Sequence, residues 1–194
     1  MQVRRTNAEW SRLTREALLE RARHQFARRG YAATTTEALV RSTGATRGAL
    51  YFHFADKKAL FEAVTIDVAA TVQAKVEAAA RQVRDPVEGL VEGCRAWLIS
   101  ASSDEARQIL LIDAPSVLGW KRWREIDAAH SMGSLRAGIE ACFSVKPATS
   151  ISALALTHLV SGALNEAVLA VGEGAVELDD VVAATSALVR SLLR

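Results

Sequence analysis

Cysteine is nearly absent: the 194 residues contain two, Cys94 and Cys142, with no histidine at ligand spacing beside either. That excludes a disulfide-stapled secreted scaffold and a zinc module, both of which need clustered Cys or Cys/His. The two thiols read as small buried hydrophobes in a reducing compartment. His24, His53, His130 and His158 are scattered as well, so no metal site is expected, and no cofactor. No nucleophile–base set or paired carboxylate stands out, which argues against an enzyme. Proline and glycine are sparse, at 3 and 11, and aromatics are few; Ala, Leu and Val dominate, a composition that favours helices. No stretch alternates at period two for long enough to build a sheet, so the fold class is all-α. The opening "MQVRRTNAEW" lacks the apolar core of a signal peptide. One stretch, from Ala153 to Gly172, is apolar for the length of a membrane span, but it carries His158, Asn165 and Glu166, costly groups in hydrocarbon. It reads as a buried or interface helix of a cytoplasmic protein with no membrane partner.

An excess of charge of one sign is also lacking overall, since the net is +2, but the distribution is uneven. Residues 1–60 hold 12 Lys/Arg against 5 Asp/Glu, a net of +7, and residues 61–194 hold 12 against 17, a net of −5. A basic head on an acidic body suits a polyanion partner for the head alone; an ordinary solvated basic face would give the same sum.

Periodicity predicts about nine helices. In Thr14–Arg29, Leu18, Leu19, Ala22 and Phe26 share one face, and Gly30 stands where a left-handed cap would end the helix. A short helix follows Thr34 and Thr35, buries Leu39 and Val40 and stops at Gly44. Another runs over about Thr46–Phe52, with Leu50 and Phe54 four apart on a core face and Arg47 and Tyr51 four apart on another. Asp56 is an N-cap candidate for a long helix from Lys57 through Leu60, Phe61, Val64, Val68 and Val72 to about Val83, closed by Asp85-Pro86. Helices are expected over Val87–Ala101, Asp104–Ala114, Gly119–Phe143, Thr149–Val171 and Asp179–Leu193. The domains divide at 1–56 and 57–194, linked mechanically by the long helix.

Two short helices joined by a tight turn at Gly44 fit a helix-turn-helix, whose second helix enters the DNA major groove. The residues sharpen this. Gly30-Tyr31, Thr34-Thr35, Leu39-Val40, Gly44-Ala45, Thr46-Arg47-Gly48, Leu50-Tyr51, His53-Phe54 and Lys57 with Leu60 follow, in order, the pattern of a known head. The stretch Gly30–Val64 resembles the DNA-binding head of TetR-type (tetracycline-repressor-like) transcriptional regulators. It departs at Ala45, Gln25 and Thr36, where larger or more apolar residues are common.

The residue types suggest the contacts. Arg47, at the start of the recognition helix, can donate two hydrogen bonds to a guanine edge, or contact phosphate without reading sequence. Ala49 is small enough to let the helix seat deeply or to meet a thymine methyl. Lys57 opens the long helix, where ammonium and helix N-terminus both favour a phosphate. Thr35, Thr36 and Thr46 offer hydroxyls and backbone amides to phosphates. The resemblance implies that Tyr51 and His53 donate to the DNA backbone. Arg4 and Arg5 fit either a minor-groove arm or a plain tail.

For residues 57–194 the resemblance implies a small-molecule effector site and a homodimer. Leu156, Val160, Ala163, Leu164, Ala167 and Val171, with Val181, Thr185, Leu188 and Leu192, form two stripes that suit a four-helix bundle with a second copy or an intrachain core. Asp113-Ala-Pro breaks the helical pattern before Trp120, and three of the four tryptophans fall in this domain. A pocket between the central helices, lined by Trp97, Ile109, Asp113, Trp120 and Trp123 with Arg124 or His130 nearby, is therefore expected. The tryptophans also suit plain core packing, and Asp113 also suits a pairing with Arg122 or Arg124, or a helix cap. The function implied is a DNA-binding regulator, relieved by ligand at a palindromic double-stranded operator; the alternative is a constitutive regulator without a ligand.

Overall fold

A computed structural model describes residues 6–44, 46–145 and 151–193; Ala45, the Arg4/Arg5 arm and the expected start at Thr149 lie outside them. All regular structure among these residues is helical, as the composition predicts. Ten helices form: α1 Asn7–Ala33, α2 Thr36–Thr43, α3 Arg47–His53, α4 Lys57–Ala80, α5 Pro86–Ala101, a composite α6, α7 Trp120–Ala129, α8 Ser131–Val145, α9 Ala153–Gly172 and α10 Leu178–Leu193. Composite α6 opens as α-helix over Asp104–Ala106, passes through a π-helical stretch Arg107–Asp113 and closes as α-helix over Ala114–Leu118.

Three boundaries differ from expectation, each for a local reason. Helix α1 starts at Asn7 because Thr6 and Glu9 form a capping box that satisfies the first orphan amides. It kinks at Gly30, whose φ of 71° and ψ of 168° suit glycine but not a helix. The expected helix Gly119–Phe143 is two helices, broken at His130 with φ −122° and ψ −96°.

The head packs α1–α3 around Leu18, Ala22, Phe26, Leu39, Leu50 and Phe54, all buried. Phe61 of α4 meets Phe26 edge-on at 5.1 Å and Tyr31 at 5.0 Å between ring centroids, so the long helix shares the head's core. Full burial of side chains this size contributes about 1.5–3 kcal/mol each. Farther along, Val64, Val68 and Val72 of α4 are buried too, and α4 packs most extensively on α5.

Polar ties cross from head to body. Arg23 of α1 donates through Nε to Glu105 of α6 at 2.9 Å and through Nη1 to Asp67 of α4 at 2.9 Å. Asp113 Oδ2 accepts from the Tyr31 backbone N–H at 2.8 Å. In α9, Leu156, Val160, Leu164 and Val168 are buried within the chain, so much of the expected stripe serves the intrachain core. The exposed face is the neighbouring one: Ala155, Leu159, Gly162, Ala163 and Glu166, at i, i+4, i+7, i+8 and i+11.

Candidate nucleic-acid interface and effector cavity

Helix α3 is set by its ends. Thr46 caps it, its Oγ1 accepting from Ala49 N at 3.1 Å, and Phe54 N–H closes it on Leu50 O at 2.9 Å. Thr35 caps α2 in the same way, accepting from Ala38 N at 3.2 Å, and Gly44 ends α2 with a left-handed φ of 66°. A capping hydroxyl still has its own hydrogen to donate: exposed Thr46 holds that donor at the head surface, and exposed Thr35 turns its own towards the Glu37 carboxylate. Thr36 is half-buried, 3.5 Å from Glu37 Oε2.

With Leu50 and Phe54 turned into the core, the opposite face of α3 is free. Arg47 has 67% of its side chain exposed and Tyr51 is 41% exposed. The Arg47 guanidinium lies over the Tyr51 ring, 5.6 Å from its centroid. Ala49 is half-buried between them and the core, and His53 is half-buried with its ring against Phe52. Tyr51 is thus a surface aromatic, as the donor role requires. Phe52, next along α3, is 78% exposed. Sequence reasoning missed Glu37, whose Oε1 stands 3.8 Å from Arg47 Nη1. A hydrogen bond from its own backbone N–H, the Arg47 charge and the Thr36 and Thr35 hydroxyls hold the Glu37 carboxyl below its ordinary value. Phosphate or base contacts by Arg47 must therefore displace a weak, exposed ion pair, which costs little.

Lys57 is placed differently from its neighbours in the expected set. Its Nζ donates to Tyr31 O at 3.0 Å and Thr34 O at 2.9 Å and sits 4.0 Å from the Tyr31 ring centroid. Two of its three donors thus close the end of α1, and one remains. Lys58, one residue on, is exposed and makes no ion pair among the described residues.

A cavity of about 560 Å³ opens between α4, α5, α8 and α9, with Gln73, Glu77, Leu90, Trp97, His130 and Leu164 among its lining residues. Of the residues expected there, the structure brings Trp97 and His130 to the cavity. Ile109 is fully buried in the core. Trp123 is buried and spends its indole N–H on Leu110 O, at 2.8 Å, inside the π-helical stretch. Trp120 is 67% exposed, its ring 4.8 Å from that of Trp123 with the Arg124 guanidinium over both. Asp113 is turned the other way, onto the Tyr31 amide. The helix break does not open a pocket because the chain passes through it as a π-turn that keeps its backbone bonded. Arg122 pairs with Glu62 and Glu125, and Arg124 with Asp127, so neither meets Asp113. Burial pushes the Asp127 carboxyl up, against the lowering pull of Arg124.

Residues 18–64 match the sequence signature of "Bacterial regulatory proteins, tetR family", and residues 87–192 match "Tetracyclin repressor-like, C-terminal domain". The crystal structure of a TetR-family transcriptional regulator from Pectobacterium atrosepticum is 34% identical, covering 98% of this chain and 96% of that one, with a TM-score of 0.75. The HTH-type transcriptional repressor BepR of Brucella suis is 36% identical over 110 residues, 56% of this chain and 52% of BepR. The repressor AcnR of Corynebacterium efficiens is 38% identical over 85 residues, 44% of this chain and 40% of AcnR. The chain thus matches about half the length, or less, of these two repressors.

Proposed function

The chain belongs to the TetR family of DNA-binding bacterial regulators, and from that membership we propose that it is a ligand-relieved repressor that binds a palindromic operator as a homodimer. One observation carries the reading. Helix α4 is unbroken from Lys57, which holds the end of α1 in the head, to Ala80, and on the way its Gln73 and Glu77 face the cavity. A ligand that prefers one position of α4 therefore shifts the head with it.

Arg47 reads a base edge from the exposed side of α3, with Ala49 giving clearance. Tyr51, His53, Thr35, Thr36 and Thr46 donate to phosphates and fix the register. Lys58 adds the free cation beside α3, and Lys57 chiefly positions Tyr31 and Thr34. The effector occupies the cavity at Trp97. The second copy covers the exposed face of α9 together with Ala183, Ala184, Ala187 and Leu188 of α10, all exposed. Small residues there let backbones approach closely, and a two-fold pair of heads suits major-groove faces roughly 34–36 Å apart.

The test is binding of the purified protein to labelled DNA from around its own gene, at two salt concentrations and against an unrelated fragment. Selective binding with a footprint over an imperfect palindrome is expected. Equal, weak binding to both fragments that salt abolishes would overturn the operator reading for that region. Selective binding that no ligand relieves would favour a constitutive regulator.

A further inference from the structure

The polar wall of the cavity determines what kind of molecule it can hold. Gln73 Nε2 donates to Glu77 Oε1 at 2.9 Å. A carboxylate only accepts, so the amide nitrogen of Gln73 faces Glu77 and its oxygen faces the other way. That oxygen lies 2.7 Å from His130 Nδ1. The imidazole must therefore carry a hydrogen on Nδ1, and its uncharged form presents a lone pair on Nε2, which has no protein partner among the described residues. Ser134 Oγ, 3.4 Å from Glu77 Oε1, extends the same wall. The chain of bonds ends in acceptors.

The charges agree. The lining includes three carboxylates, Glu77, Asp85 and Asp127, against one guanidinium, Arg81. Arg81 approaches Glu77 Oε2 at 3.6 Å from a side chain 69% exposed, so water screens it. Asp127 is held by Arg124 at 2.8 Å, and Asp85 caps α5 through Glu88 N. Glu77 is left as the carboxylate whose charge the cavity feels most. Opposite, Asn165 of α9 is half-buried in the lining and makes no side-chain hydrogen bond among the described residues. Val76, Leu90, Trp97 and Leu164 supply the cavity's apolar wall.

We propose, building on the reading of this cavity as the effector site, that it takes a protonated organic amine with an apolar body. The ammonium donates to His130 Nε2 and Glu77, and the body lies along Trp97 and Leu90. A carboxylate or phosphate ligand would set its charge against Glu77 with no free cation to receive it, which the site disfavours.

Three molecules of one shape separate the possibilities: 4-phenylbutylamine, 4-phenylbutanol and 4-phenylbutyrate, titrated calorimetrically into the full-length protein. The amine is expected to bind at least about tenfold tighter than the alcohol, and the acid more weakly than either. Glu77→Gln, which keeps the shape and an acceptor oxygen, is expected to weaken the amine far more than the alcohol and bring the two within about threefold of each other. His130→Gln tests the second acceptor in the same way. Equal binding of amine and alcohol, or tighter binding of the acid, would overturn the amine assignment and leave the cavity standing as an effector site. Binding of none of the three at millimolar concentration would overturn the cavity itself.

Discussion

Asp113→Ala tests how the head is fastened to the body. The carboxylate accepts the Tyr31 amide hydrogen at 2.8 Å, between residues 82 apart in sequence. The amide directly follows Gly30, where α1 kinks, and the Tyr31 carbonyl is held by Lys57 at 3.0 Å. A hydrogen bond to a charged partner contributes about 1.5–3 kcal/mol net. Both residues are only half-buried, so the lower part applies, about 1.5–2 kcal/mol. For a chain of this size that is about 3–8 °C in Tm. The loss is local before it is global: amide exchange at Tyr31 and over Gly30–Thr34 should accelerate roughly 10- to 30-fold, while that of the α5 core should change far less. Asp113→Asn keeps an acceptor oxygen without the charge and should show about half the effect. Thermal denaturation and hydrogen exchange by mass spectrometry read both. A Tm within about 1 °C of the parent, with unchanged exchange at Tyr31, would refute the fastening role.

Arg47→Ala should weaken operator binding by about 1–3 kcal/mol and relax preference at one position; unchanged affinity and preference would remove it from base reading. Lys58→Ala should lower the salt dependence of binding by about one unit of slope on every sequence, whereas Lys57→Ala should chiefly lower the Tm, since its ammonium is spent on Tyr31 and Thr34. Burial, with a smaller push from Cys142, raises the Cys94 thiol to about 12. Native protein should therefore leave Cys94 unreacted with a disulfide reagent at pH 8, and the stability it contributes should hold below the unfolded thiol range, about 8.5, and fall as pH rises from there towards 12. Leu159→Glu places a charge on a side chain 72% exposed; sedimentation should show loss of the dimer with the monomer fold intact by circular dichroism.

The head was legible because its signals are local. Leu18, Ala22 and Phe26 recur at helical spacing and are buried; Leu50 and Phe54 point inward while Arg47 and Tyr51 do not. The cap at Asp56 stands where side-chain chemistry predicts, while Asp85, read only as the stop of the long helix, also caps α5. The early start of α1 was also readable, since Thr6-x-x-Glu9 is a capping-box pattern. The body was less legible because its decisive contacts are distant. No periodicity reveals that Asp113 serves Tyr31, or that Lys57 is claimed by two carbonyls. The break at His130 has neither proline nor glycine at the break itself, yet it brings His130 to the cavity wall. Tryptophan is a poor guide to a pocket for the same reason: Trp123 satisfied its N–H within the chain, and Trp120 lies outside.

These ties constrain how a signal can travel. From Lys57 to Glu77 helix α4 rises about 30 Å, so a tilt of about 5° at the cavity end displaces the head by roughly 2.6 Å. The head does not ride on α4 alone. Arg23 and Tyr31 of α1 are bonded to Glu105 and Asp113, the two flanks of the π-helical stretch in α6, while Arg23 also reaches Asp67 of α4. Moving α1 and α4 against a fixed α6 would break the two bonds to Glu105 and Asp113, partly exposed, at up to about 1.5–2 kcal/mol each. That is comparable to the 1–3 kcal/mol or so typical of allosteric coupling, so such a path would consume most of what a ligand supplies. Moving α4 and α6 together keeps the bonds. The low-cost motion is therefore a rigid swing of α1–α4 with α6, and under the proposed ligand-relieved function the fastening at Asp113 would set how far occupancy of the cavity is felt in the head.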